Sequence, residues 1–240
     1  MAYSLPTRQD KPAYVQAMFD RIAGHYDQVN DWMTFGRHRA WKRQLVRLAG
    51  ARAGGAYLDL CTGTGDIAAL WAEHAAPGGT VEALDFSPGM LEIARKRHPV
   101  GAGVHWIQGD ATALPFPDAS FDAVSVGFGL RNVVDLEAAL MEALRVLRPG
   151  GMFISLETGK PAIGFFRLGN ALYGRFLVPM LGRLMSGDRE AYRYLPTSSE
   201  AFPDQRELAR RFEAVGFEGV RVHDRMFGAV ALVAGLRPRA

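Results

Sequence analysis

The sequence holds a single cysteine, Cys61, in 240 residues. No disulfide can form within the chain, and a lone thiol fits a reducing compartment, so the expected location is the cytoplasm. No stretch reaches about 18 uninterrupted apolar residues, which argues against a membrane-spanning helix. The start, MAYSLPTRQDKPAYV, lacks an apolar core behind a basic head and does not read as a signal peptide. Internal repeats and low-complexity tracts are missing. So are an NPPY-like motif and an extended basic stripe, and nucleic acid is therefore not an expected partner.

Charge of one sign is scarce overall, with a formal net charge of +3. What there is sits in one place. Residues 160–193 carry Lys160, Arg167, Arg175, Arg183, Arg189 and Arg193 against Asp188 and Glu190, a local +4, so the remainder is about neutral. Such clustering points to a local surface task rather than general polyanion binding. With 48% hydrophobic and 22% charged residues the composition is that of a soluble globular protein. Its length suits one well-cored α/β domain with some decoration.

Residues 12–49 read as mainly helical, with aromatic residues at helical spacings and a break near Gly36. From 55 to 158, short apolar runs alternate with helical patterns, as in βαβ units on a parallel sheet. The spacing predicts strands at 56–60, 80–85, 104–110, 121–128 and 152–158. Helices are expected over 66–75, 87–98 and 135–147, the last running up to RPGG, a stop signal. A long apolar segment punctuated by arginine breaks this rhythm over 159–200. A helix over 203–217, capped at Gly216, and strands at 219–224 and 228–236 close the chain. The expected organisation is a helical cap (1–50), a nucleotide-type core (51–158), a helical insertion (159–200), and a closing helix with the last two strands (201–240).

Residues 58–66, LDLCTGTGD, run a strand into a glycine turn with an acid at each side. Gly63, Gly65 and Ala68 satisfy G-x-G-x-x-A, and Asp85 lies 22 residues beyond Gly63, which by spacing is a dinucleotide fingerprint. The flanks weigh against NAD. A pyrophosphate would sit on the helix N-terminus, beside Asp59 and Asp66. S-Adenosylmethionine has no phosphate; it carries a sulfonium and an ammonium, which the same carboxylates attract.

In that reading Gly63, Thr64 and Gly65 form the loop, and Asp85 accepts both ribose hydroxyls through its two oxygens. Asp110 accepts the adenine amino group, and Phe86 and Ala111, next to these acids, complete the donor set. Asp59, Asp85 and Asp110 then form a row at the carboxyl ends of three strands, where open α/β sheets bind ligands. Asp66 reads equally as a helix-opening residue held by the dipole. Cys61 reads as packing rather than as a nucleophile. No metal site is expected.

With LDLCTGTGD, ALDFSPGMLEIA, GDATALPFPDASFD, GFGLRNV, LRPGG and LETGKP all in order, the sequence resembles the class I methyltransferases. It resembles specifically the quinone C-methyltransferase family, which methylates demethylmenaquinol and, in many bacteria, a ubiquinone precursor. FDRIAGHYDQVNDWMTFGRHRAWKR and EAYRYLPTSSEAFP fit the same pattern, and the similarity runs from about residue 15 to 235. The generic pattern has glycine where Cys61 stands, and some relatives have a serine at Gly127, which is left out of the candidate set. The resemblance implies a Rossmann-like α/β fold: a seven-stranded, mostly parallel sheet with helices on both faces and an antiparallel last strand. It implies a SAM-dependent C-methyltransferase acting on a lipid-soluble quinol, cytoplasmic or peripheral at the inner face of the membrane.

Methyl transfer to a ring carbon needs a nucleophilic position, which a quinol gains on losing a phenolic proton. A phenol with a pKa of ~10 needs a cation or base to ionise at neutral pH. Arg131, after the fourth strand, is the candidate for holding the phenolate with its donor fork; the alternative is a structural salt bridge. Asn132 is the candidate for the other quinol oxygen. The resemblance adds Tyr26, with Asp27 and Asn30, as a lid-like element over donor or acceptor; His25 is not carried over. The stretch 161–187, with Phe165, Phe166, Tyr173, Phe176, Leu177 and Met180, suits an isoprenoid tail or transient contact with a membrane surface. It suits equally a core helix or a homodimer interface.

Overall fold

The computed structural model describes residues 3, 5–98, 103–173, 188 and 190–239. Its strands are β1 Ala56–Leu60, β2 Thr80–Asp85, β3 Val104–Gln108, β4 Phe121–Gly127, β5 Leu147–Thr158, β6 Glu218–Arg225 and β7 Val230–Leu236. They form one sheet in the order β3-β2-β1-β4-β5-β7-β6. β1 to β5 pair in parallel, and β7 lies antiparallel between β5 and β6. This is the seven-stranded, mostly parallel sheet that the resemblance implies. The strand order reverses between β1 and β4, the place where open sheets hold ligands.

The described helices are α1 Lys11–Ile22, α2 Tyr26–Thr34, α3 Arg37–Leu48, α4 Asp66–Ala75, α5 Pro88–Arg97, α6 Leu136–Val146, α7 Gly164–Leu172, α8 Ala191–Ala201 and α9 Gln205–Val215. They cover both faces of the sheet, which is why its central strands are mostly apolar. Side chains alternate along β1: Leu58 and Leu60 join a core with Leu140 of α6 and Phe212 of α9. Tyr57, on the other face, stacks on Trp71 of α4 with ring centroids 4.1 Å apart, and Trp41 and Leu45 of α3 join that side. A third core ties Val15, Met18 and Ile22 of α1 to Met90 of α5 and Tyr194 of α8. The N-terminal helices thereby sit on the core rather than apart from it.

Local chemistry sets the helix ends. The Ser87 hydroxyl accepts from the Met90 N–H at 3.1 Å with Pro88 at the first helical position. Asp135 accepts from the Ala138 N–H at 3.0 Å to open α6. Asp204 opens α9 by accepting from Arg206 and Glu207, and Gly216 closes it at φ 110°, the cap expected there. Phe35 and Gly36, at φ 51° and 69°, make the break between α2 and α3.

Two boundaries depart from expectation. The strand predicted from residue 152 begins at Leu147, which already pairs with Phe121, so α6 ends at Val146. The ladder shifts register between Phe121 and Ala123, and Gly150 at φ 79° carries the chain through RPGG within the strand. β3 stops at Gln108 rather than 110 because the Asp110 carboxylate turns back to accept from the Thr112 N–H. Of the 159–200 insertion, residues Arg175, Phe176, Leu177, Met180, Arg183 and Arg189 lie outside the described residues. No described helix is long and apolar enough to cross a membrane.

Candidate active site

The carboxyl ends of β1 to β4 open into a cavity of about 100 Å³. Cys61 and Gly63 after β1, Asp85 and Phe86 after β2, and Asp110 and Ala111 after β3 form part of its wall. Gly127 ends β4, and Phe128, Gly129 and Asn132 come from the segment after it. The opposite side is one stripe of α1, Pro12, Val15, Gln16 and Phe19, at i, i+3, i+4 and i+7, joined by Tyr26 at the start of α2.

The two loop glycines serve different ends. At Gly63, φ is 58° and an added Cβ would meet open space, so glycine is there for its conformation and leaves bare backbone facing the cavity. At Gly65 φ is 88° and an added Cβ would also lie 2.5 Å from the Trp106 ring, so conformation and packing both require glycine, and it does not line the cavity. Both N–H groups are committed within the protein. Gly63 donates to Asp85 Oδ2 at 2.7 Å and Gly65 to the Thr62 carbonyl at 3.0 Å. A pyrophosphate would find neither of these amides free.

Asp85 also accepts from the Ser87 N–H at 2.8 Å, and burial pushes its carboxyl up to about 6 against the pull of these amides. Asp110 commits one oxygen to the Thr112 N–H at 2.8 Å. Asp59 lies beneath the loop, not on the cavity wall. Its oxygens accept from Ser125 Oγ and Thr62 Oγ1, each at 2.6 Å, and burial pushes it up to about 7. The Cys61 thiol is pushed up by burial first, then by the fields of Asp85, Glu157, Asp59 and Asp110. It is no nucleophile. Two carboxyl groups, Asp85 and Asp110, line this wall, while no Lys or Arg lines the cavity among the described residues. Such a field favours a cationic ligand.

Tyr26, Gly63, Asp85, Phe86, Asp110, Ala111 and Asn132 are brought together here; Asp59, Thr64, Gly65 and Arg131 are not. Thr64 donates its hydroxyl to Asp27 Oδ1 at 2.7 Å. Asp66 is held by Lys42 at 2.8 Å and Arg97 at 3.1 Å, a structural role. Arg131, the candidate for holding the phenolate, does not line the cavity. It is buried, its Nη1 donates to the Phe128 carbonyl at 2.8 Å, and Glu157 Oε2 lies 3.5 Å away. Glu157, which burial pushes up to about 7, is a buried acid that needs a cation, and that need draws the guanidinium off the cavity.

Sequence reasoning missed the α1 stripe, Met90 and Ser87. The i, i+3, i+4, i+7 spacing was a usable signal, although it adjoins the stripe that α1 buries in its own core. Asp20 was missed too; it accepts from Ser87 Oγ at 2.5 Å and from the Gly89 N–H at 3.0 Å, joining α1 to the donor-side loop.

Solved structures share this architecture. A SAM-dependent methyltransferase from Thermotoga maritima, described as a possible histamine N-methyltransferase, superposes with a TM-score of 0.64 at 22% identity, over 92% of this chain and 99% of its own. A SAM-dependent methyltransferase from Aquifex aeolicus gives 0.62 at 16% identity, over 88% and 97%. At those identities the likeness establishes the fold. Sequence relatives go further. A protein of Stutzerimonas stutzeri named ubiquinone/menaquinone biosynthesis C-methyltransferase UbiE is 41% identical over 98% of this chain and 93% of its own length. A demethylmenaquinone methyltransferase of Staphylococcus aureus is 40% identical over 94% and 93%. The profile of the ubiE/COQ5 methyltransferase family matches residues 7–237, and the chain belongs to that family.

Proposed function

We propose that this methyltransferase transfers a methyl group from S-adenosylmethionine to a ring carbon of demethylmenaquinol. The observation that carries the reading is the cavity wall: Asp85 and Asp110 line it and no Lys or Arg does among the described residues, which suits a cationic donor. S-Adenosylmethionine supplies a methyl group already activated on a sulfonium, so the chain's task is to bind, align and keep water away. The residues present fit that donor. Asp85 would hold the ribose diol, Asp110 has an oxygen left for the adenine amino group, and Gly63 with Phe86 and Ala111 would shape the rest of the cradle.

The acceptor side falls to Asn132 and Tyr26 on the same cavity. The Asn132 side-chain amide can donate to a quinol oxygen and stabilise the charge that develops as the phenol ionises. Val15, Phe19 and Met90 supply apolar wall for a ring and exclude water from it. Arg131 then supports the reaction by holding the Leu130–Asn132 turn on Glu157, rather than by touching the acceptor. A tail-bearing quinol dissolves in a bilayer, so the enzyme works as a peripheral protein at the inner face of the membrane.

The name of the Stutzerimonas relative covers ubiquinone as well as menaquinone, which supports a second acceptor, 2-polyprenyl-6-methoxy-1,4-benzoquinol. Methyl transfer from labelled donor to each reduced acceptor tests both. Transfer to demethylmenaquinol is expected. Transfer to the benzoquinol alone would reassign the substrate, and transfer to neither would overturn the reading.

A further inference from the structure

Ten large apolar side chains stand exposed among the described residues, and seven of them belong to one ring of neighbouring elements. Trp32 and Phe35, 62% and 76% exposed, sit at the α2–α3 corner. Met226 and Phe227, the latter 66% exposed, lie in the 3-10 turn Met226–Gly228 that follows β6. Ile163, Phe165 and Leu172 border or belong to α7, with Phe165 81% exposed.

Three contacts close the ring. The Tyr173 hydroxyl, just past α7, donates to the Met33 carbonyl of α2. Phe166 of α7 stacks on Phe227 with centroids 4.0 Å apart. Arg225 Nε, one residue before the turn, donates to Gln44 of α3 at 2.8 Å. Because β5 and β6 are both antiparallel to β7, they run the same way. The turn and α7 therefore leave the sheet at the edge that carries the cavity.

The backbone adds a second observation. Phe35, Met226 and Phe227 have φ of 51°, 49° and 57°, the left-handed region that side chains with a Cβ avoid. At Phe35 that conformation closes α2, but an aromatic ring where glycine or asparagine would cap more easily, and two successive left-handed apolar residues at 226 and 227, point to a contact made by the surface itself. Exposed cations lie on the same elements, α3 and α7. Arg37 follows Phe35 by two residues, Arg43 precedes Gln44, and Arg167 lies on α7 between Phe165 and Leu172. None of the three pairs with an acid among the described residues.

We propose that this face docks on an anionic lipid bilayer. Its apolar side chains enter the boundary between headgroups and acyl chains, and its arginines meet headgroup phosphates. A second copy of the chain fits less well, since a two-fold interface buries the same patch twice and would gather two sets of Arg37, Arg43 and Arg167 with no acid of the patch, among the described residues, to pair them. The docking face deepens the quinol reading: it sets the cavity's edge of the sheet against the phase in which a tail-bearing acceptor dissolves.

Co-sedimentation of the full chain with vesicles of phosphatidylcholine plus phosphatidylglycerol, and of phosphatidylcholine alone, tests it without any quinol. The wild type is expected to pellet with the anionic vesicles and to release as salt rises. Phe35→Asn combined with Phe227→Asn removes two rings while placing a residue that tolerates the left-handed conformation, so the fold is kept, as a thermal melt will verify. Partitioning should fall by about tenfold or more. Arg37→Gln with Arg43→Gln should weaken only the anionic arm. A wild type that pellets with neither vesicle, or an Asn double variant that pellets like wild type, overturns the proposal. So does concentration-dependent self-association that the same variants abolish in the absence of vesicle binding. Methyl transfer to a tail-less, water-soluble quinol separates the two readings. Transfer without vesicle binding sinks the docking face alone, whereas absent transfer sinks the quinol reading whatever the vesicles do.

Discussion

A carboxylate that accepts hydrogen bonds from a ligand needs its charge, yet burial pushes Asp85 up to about 6 while the Ser87 and Gly63 amides pull the other way. A diol donating to both oxygens favours the charged form, so donor binding expels the proton from any Asp85 that holds one. The sign follows from linkage: affinity is level above about pH 6 and falls as pH drops below it, by about tenfold per unit for one proton. We expect titration calorimetry with S-adenosylhomocysteine near pH 6, in buffers of different ionisation enthalpy, to register proton release. Asp85→Asn should bind more weakly at neutral pH and lose the acid-side dependence. A wild-type profile that stays level down to about pH 5 would remove Asp85 as the acceptor of the diol. Arg131 and Asn132 show why a motif underdetermines its own geometry. They are adjacent in a 3-10 turn, where successive side chains point about 120° apart. Only one of them can face a given target, and the one that does is decided by Glu157, 26 residues away on the next strand.

At the scale of elements, α8 reaches into the site through one hydroxyl. Tyr194 donates to Asn132 Oδ1 at 3.0 Å, and burial holds its phenol up at about 12, so the group stays a donor at any working pH. The Phe128 carbonyl faces Asn132 Nδ2 at 3.5 Å, which agrees with the same amide orientation. α8 thereby presets Asn132 with its donors away from Tyr194. Tyr194→Phe is expected to lower kcat with the quinol by about tenfold, the value of one hydrogen bond of about 1–1.5 kcal/mol. KM for the donor should hold. Combined with Asn132→Ala, the second change should cost little more, because both act through one group. Fully additive losses would mean that Tyr194 serves only packing. The parallel strands and most helix ends could be read directly from the sequence, since alternation, Ser87-Pro88 and Gly216 act locally. EAYRYLP was noticed as a motif, but its task depends on a contact across 62 residues that no local pattern carries.

Over the whole molecule, the site lies between two bodies of different origin: a sheet edge, and a cap built from α1 and α2. The sheet half could be read in the sequence because glycines and acids at strand ends are tied to chain position. The cap half could not, because Pro12, Val15, Gln16 and Phe19 acquire meaning only when α1 is laid across the cavity. Beside the Asp20 contacts of α1, a second polar cluster fastens the two bodies. Asp27 of α2 accepts from Thr64 Oγ1 at 2.7 Å and pairs with Arg97 of α5 at 2.7 Å, and Arg97 reaches on to Asp66. Thr64 is itself buried, so its hydroxyl has little access to water if Asp27 leaves. Should donor exchange require the cap to lift, this cluster and the Asp20 contacts to Ser87 and Gly89 are what lifting breaks. Discounting the half-exposed Arg97 for solvent screening, Asp27→Ala should ease opening by about 1–2 kcal/mol, roughly a tenfold gain in the open population. Hydrogen exchange should speed up by that factor in α1 and α2 and stay unchanged in β1 and β4. Stopped-flow release of S-adenosylhomocysteine should accelerate in parallel. If exchange in the cap is unaltered while release quickens, Asp27 acts on the ligand directly and the cap is not the gate.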